Sequence, residues 1–180
     1  MTRLFTLSLC CLVLLATNSS FAQSAQYPIV KGYGGIYEVP DAIERPDPDG
    51  VYKIVVDMST GGEENSEISR WVNNVARMVN LHGLAGVPKE NIKVKVVVHG
   101  GAIFTVLNNE AYKKQFNVDN PNMPVYKALV DAGVEVLVCG QSMHARNFQK
   151  SDLYEGVDVA LSALTTVTTY AAQGYTVLKF

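Results

Sequence analysis

The residue in this chain best suited to chemistry is a cysteine. Cys139 follows Val134, Val136, Leu137 and Val138, an apolar run that predicts a short buried strand, and Gly140 stands directly after it. The polar residues Gln141, Ser142, His144 and Arg146 then lead on to Phe148 in a segment that permits a helix. In α/β proteins, ligands gather where a parallel strand ends and a helix begins. The N–H groups and dipole of that helix favour negative charge, and so favour a thiolate over a thiol. The chemistry expected is that of an ionised sulfur that accepts and releases a group. Cys139 would be the reacting atom, with Gly140, Gln141, Ser142 and Arg146 as binding residues. A second apolar run, Ile92–Val98, ends in His99-Gly100-Gly101. His99 is a candidate base or hydrogen-bond partner for the thiol, and Gly100 would let another group approach the backbone closely. The plainer alternatives are a core cysteine and a histidine that only holds structure.

Other chemistries find less support. Cys139, His99 and His144 lack the tight paired spacing of zinc ligands, and no fourth ligand is evident, so no metal is expected. Ser59-Thr60-Gly61-Gly62 resembles neither a Walker loop nor a dinucleotide fingerprint, and Glu63, Glu64 and Glu67 beside it would repel a phosphate. No cofactor is expected. No carboxylate pair or nucleophile triad suggests a hydrolase. With a formal net charge of −2, the chain offers no case for nucleic acid.

The elements that must position these residues follow in order. Residues 1–22 read as a secretory signal peptide: Arg3, an apolar run Leu4–Ala16 too short to span a bilayer comfortably, then Ser20 and Ala22 at the −3 and −1 positions. Cleavage is expected after Ala22, with Ala25 as the second choice. It predicts a periplasmic or secreted protein with no membrane span once the leader is gone. Cys10 and Cys11 would leave with the leader, so Cys139 would remain as an unpaired thiol. Residues 23–50 form an arm rich in Tyr, Gly and Pro. Its many apolar side chains predict that it lies ordered against a surface, such as that of a neighbouring subunit.

From residue 51 to 180 strands and helices alternate. Strands are expected at Val51–Asp57, Ile92–Val98, Val134–Val138 and Tyr175–Leu178. A fifth would come from the arm or an edge. Long helices are expected over Glu63–Leu81, its first turn filled with acids, and over Val159–Gln173, capped by Asp158. Shorter helical pieces are expected at Ala102–Leu107, Glu110–Phe116, Val125–Ala132 and Ser142–Phe148. The alternation predicts a three-layer α/β/α fold with a mainly parallel sheet of four or five strands.

The run VEVLVCGQSMHARNF, with Asp152-Leu153, Glu155-Gly156-Val157 and the closing Gln173-Gly174-Tyr175, resembles the DsrE/DsrF-like family over Val51 to Phe180. The resemblance implies a compact α/β fold, commonly assembled as a homotrimer or hexamer. Some members of the family relay sulfur as a persulfide on a cysteine, and Cys139 stands in that cysteine's place after the strand. Three functions follow as expectations. One is a sulfur or thiol carrier with an unidentified donor and acceptor. Another is a non-catalytic oligomeric module whose strand-end cleft holds a small ligand. The third is an assembly protein knitted together by its arm.

Overall fold

The computed structural model describes residues 23–180; the predicted leader lies outside the described residues. Five parallel strands form one sheet: β1 (Tyr52–Met58), β2 (Ile92–Val98), β3 (Glu135–Cys139), β4 (Val157–Ala160) and β5 (Thr176–Lys179), in the order β4-β3-β2-β1-β5. The helices are α1 (Arg70–Leu84), α2 (Asn109–Phe116), α3 (Met123–Asp131), α4 (Gly140–His144) and α5 (Ala163–Ala172). Each of the first three crossovers moves one strand along the sheet. The last, through α5, returns from the β4 edge to the β5 edge.

Strand periodicity divides the side chains between two faces. Ile54, Val56 and Met58 of β1, Val94, Val96 and Val98 of β2, and Val136 and Val138 of β3 point to one face. There they pack with Val72, Val75 and Val79 of α1 and Val125 and Leu129 of α3 to make the main core. Val55, Val97 and Cys139 point to the other face, where Ala163 of α5 meets them, flanked by Leu137, Val167 and Tyr170. That second layer is thin, and it is the layer that carries the site.

The fifth strand comes from an edge, and its position corrects one predicted helix. Val157–Ala160 pairs with β3 and does not begin a helix. Asp158 caps nothing. The long final helix starts only at Ala163, where Ser162 is the cap and its hydroxyl accepts from the N–H of Thr165 at 3.1 Å. The β-branched Val157 and Val159 favour the strand, and the serine supplies a stronger helix start five residues later. The first helix is corrected in the same way. It begins at Arg70 behind Ser69, whose side chain accepts from Trp71 N at 3.3 Å, so Glu63, Glu64 and Glu67 precede the helix. Predicted strand and short-helix boundaries elsewhere fall within one or two residues of those observed, except that the piece after β2 is a 3-10 helix over Gly100–Val106 and the one after β3 is α4.

The arm lies on its own domain. Val30 and Ile36 are buried, and Val30 joins the main core. Asn80 of α1, fully buried, holds the arm's backbone through both ends of its amide. Among the described residues no helix is long and apolar enough to cross a membrane.

Candidate functional site: a thiol cleft at the strand ends

Asp57, His99 and Cys139 stand at the carboxyl ends of three adjacent strands, β1, β2 and β3. Asp57 lies two residues beyond Val55, His99 two beyond Val97, and Cys139 two beyond Leu137. The period of two therefore turns all three toward the face that α5 covers. With Gln141, Ser142 and the first residues of α5 they line a cleft of about 360 Å³. One wall is apolar, made by Ala163, Leu164 and Val167; the other carries the histidine and the carboxylate.

Only 5% of Cys139 is exposed, so its sulfur is reached through the cleft rather than from the open surface. Burial pushes its pKa up. Against that, the Ser142 hydroxyl and the backbone N–H groups of Ala163, Ser142 and Gln141 stand near the sulfur and favour its charged form, and together they leave the thiol more acidic than an ordinary one. Two helix starts thus converge on the atom: α4 supplies Gln141 and Ser142, and α5 supplies Ala163. A thiolate held this way is a better match to its surroundings than a thiol. The sign for stability follows. A depressed native pKa adds stability above the unfolded thiol's pKa, about 8.5, and that contribution disappears as pH falls through the native value.

Each predicted residue has a definite place. Gly140 begins α4 with almost no room beside it: a Cβ there would lie 2.9 Å from the carbonyl oxygen of Ala160 and 3.4 Å from that of Leu161. The glycine thereby lets the turn into α5 come against the thiol. Gln141 lines the cleft and donates to Leu161 O at 3.5 Å. Ser142 lines it too; its Oγ accepts from the N–H of Gly100 at 3.4 Å, and its hydroxyl favours the charged form of the sulfur. Gly100 has φ +54°, a left-handed conformation suited to glycine, and so turns the loop after β2 toward α4. His99 lines the cleft, and its Nε2 lies 2.6 Å from Oδ1 of Asp57.

Arg146 is placed differently from the expectation. Its guanidinium lies over the Phe104 ring and donates to Ser142 O at 3.4 Å, and it does not line the cleft. The turn after α4 carries it to the main-core side, where Phe104 packs. His144 ends α4 and is likewise absent from the cleft wall. Among the described residues no group of three or more His, Cys, Asp or Glu side chains is arranged to hold a metal ion.

Residues 51–180 match the model of the DsrE/DsrF-like family. The chain belongs to this family. Two solved structures share the fold of this DsrE/DsrF-like chain. One is the protein of unknown function MTH1491 from Methanobacterium thermoautotrophicum, with a TM-score of 0.53 and 18% identity over 71% of this chain and 99% of that one. The other is the ychN protein from E. coli, with a TM-score of 0.52 and 17% identity over the same shares, 71% and 99%. No curated protein matches the chain.

Sequence reasoning did not single out Asp57 or the start of α5 in this DsrE/DsrF-like domain. An acid directly after the apolar run Ile54-Val55-Val56 was a usable signal for Asp57. Ser162 with Thr165 three residues on was one for the helix start.

Ser142 offers a direct check on the acidity of the thiol. Ser142→Ala removes the hydroxyl donor and leaves the three N–H groups. The midpoint of Cys139 alkylation against pH should rise by roughly one to two units, the worth of a hydrogen bond to a charged atom. An unmoved midpoint would mean that the hydroxyl does not serve the sulfur.

Proposed function

We propose that this protein is a sulfur carrier, in which Cys139 accepts sulfane sulfur as a persulfide and passes it on. The observation that carries the reading is a cysteine at a strand end that lines a cleft beside His99, Gln141 and Ser142, with polar groups near its sulfur that favour the thiolate. The cleft admits a small donor and restricts bulk water. In the loading step the thiolate attacks the terminal sulfur of R–S–SH. A Cys139–sulfur bond forms, the donor's S–S bond breaks, and RS⁻ leaves. The same polar groups then face the sulfur pair and steady its negative charge until an acceptor removes it.

The test is mass after inorganic polysulfide treatment. The protein should gain sulfur at Cys139 in whole-atom steps, lose it to dithiothreitol, and show no gain as Cys139→Ser. Equal gain in that variant, or none in the native protein, would overturn the reading.

The proposal includes an address and an assembly. Residues 1–22, read as a leader, support export to the periplasm or beyond. Support for a homo-oligomer, a trimer or hexamer, comes from the outer side of α5 and β4. The α5 sequence ALTTVTTYAA carries no charge, and Val159, Leu161 and Leu164 are exposed, Leu164 at the cleft itself. The apolar wall of Ala163, Leu164 and Val167 also favours a second reading, a non-catalytic module that binds a small apolar ligand. That module would keep its ligand affinity in Cys139→Ser, whereas the carrier would lose its cargo.

A further inference from the structure

We propose that Asp57 and His99 are the proton-handling pair of the cleft: His99 takes the proton of the Cys139 thiol and returns it to the departing thiol, and Asp57 is the positioning residue that holds the imidazole. This rests on the reading of Cys139 as the reacting sulfur and names the groups that would work beside it.

Asp57 stands in a strand that otherwise supplies the core, YKIVVDM, and its side chain is 22% exposed. A carboxylate so placed needs a partner to offset lost hydration. Among the described residues, the side-chain partner it has is His99 Nε2, at 2.6 Å. The backbone sets this contact, because the N–H of His99 donates to Met58 O at 2.9 Å and continues the β1–β2 ladder one step past the strand. An Nε2–H that donates to the carboxylate leaves Nδ1 as the proton acceptor of a neutral ring. The Asp57 contact at Nε2 thus determines which nitrogen is free for chemistry.

The cleft contains no rival for the role. Of its ten lining residues, the titratable ones are Asp57, His99 and Cys139. No lysine or arginine lines it, and α5 contributes Ala163, Leu164, Val167 and Thr168. A proton lost by the thiol or needed by a leaving group inside this space is therefore matched to His99.

The step balances without an outside oxidant or reductant. Cys139–SH gives its proton to His99, and the thiolate attacks the outer sulfur of R–S–SH. The new S–S bond forms as the donor's S–S bond breaks, the bonding pair leaves on RS⁻, and the imidazolium protonates it to RSH. The sum is Cys139–SH + R–S–SH → Cys139–S–SH + RSH. The Asp57 carboxyl group faces the transient imidazolium through the Nε2 contact.

Neutral disulfides test this, since they react by the same displacement and their leaving thiols vary in basicity. An aryl thiolate departs without a proton, whereas an alkyl thiolate departs faster with one. Mixed-disulfide formation at Cys139 is followed by intact mass with 2-hydroxyethyl disulfide as the alkyl probe and a neutral diaryl disulfide as the aryl probe. In His99→Gln the ratio of alkyl to aryl rate should fall about a hundredfold, the lower end of the usual span of general acid–base catalysis, and in Asp57→Asn it should fall by a smaller factor. A ratio equal to that of the native protein in both variants, whether or not the absolute rates fall, would overturn the pair while the carrier reading stands. If the native protein reacts with neither probe, the carrier reading and the pair are overturned together.

Discussion

Asn80→Ala should lower the stability of the domain by about 3 kcal/mol or more and release the arm of residues 23–50 from α1. Asn80 is 0% exposed in α1, where an amide has no place unless it is fully bonded. Its Oδ1 accepts from the N–H groups of Ile29 at 3.0 Å and Val30 at 2.8 Å. Its Nδ2 donates to the carbonyls of Val30 at 3.2 Å, Tyr33 at 2.9 Å and Gly34 at 3.1 Å. Removing the amide strands buried and half-buried backbone groups, at roughly 1–3 kcal/mol for each group left unpaired. The arm can escape that cost only by lifting off, which exposes Val30 and Ile36 and forfeits about 1.5–3 kcal/mol for each side chain. Either route is expensive. Gly34 cannot hold the arm alone: its N–H reaches Asn73 Oδ1 at 2.8 Å, yet it sits at φ +63° and so close to α1 that a Cβ would fall 2.2 Å from Arg77 N. Urea unfolding and limited proteolysis measure the two effects. A loss under about 1 kcal/mol with the arm still protected would show that Asn80 is not its anchor.

The second large effect links packing to chemistry. Gly140→Val should cost about 1–3 kcal/mol and move the alkylation midpoint of Cys139 up toward that of an ordinary thiol, about 8.5. The new Cβ meets backbone, the carbonyl oxygen of Ala160 at 2.9 Å, so no side chain can rotate away to make room. The end of β4 and the turn to Ser162 must shift outward instead. Ala163 begins α5 directly after that turn, and its N–H is one of the groups that favour the thiolate. Withdrawing it removes a charge-stabilising group and leaves burial, which favours the neutral thiol, less opposed. Iodoacetamide alkylation against pH, read on Cys139 alone, separates this from general loss of structure. A destabilised protein with an unmoved midpoint would show that α5 does not tune the thiol.

The two substitutions act from opposite faces of the sheet. Asn80 secures the thick layer of α1, α3 and the arm. Gly140 governs the thin one, where little apolar packing stands between the cleft and solvent. Val55, Val97, Cys139 and Ala163 form a small core cluster there, against the much larger one on the other side. Adjustment for an incoming donor is therefore expected on the α5 side, where fewer buried contacts must be broken.

Much of this was local enough to read from the chain. Apolar runs revealed β1, β2 and β3, because a strand buried on both faces needs no alternation. The strand–helix alternation implied a parallel sheet, and Cys139 with Gly140 could be placed at a strand end. Where local signals competed, the reading failed. Val159 and Ala160 read as part of the final helix because β3, the strand that claims them for the edge strand β4, is in place beside them only after folding. Glu63, Glu64 and Glu67 suggested a helix start that Ser69 takes instead. What the chain order alone could not convey is adjacency. Asp57, His99 and Cys139 are far apart in sequence, and they share a cleft because β1, β2 and β3 lie side by side in the order β4-β3-β2-β1-β5. Ala163 reaches the sulfur because the last crossover lays α5 over the second face, and Arg146 misses it because the turn after α4 leads to the first. Sequence determined which groups could react. The pairing of strands, a choice made by long-range packing, decided which of them meet.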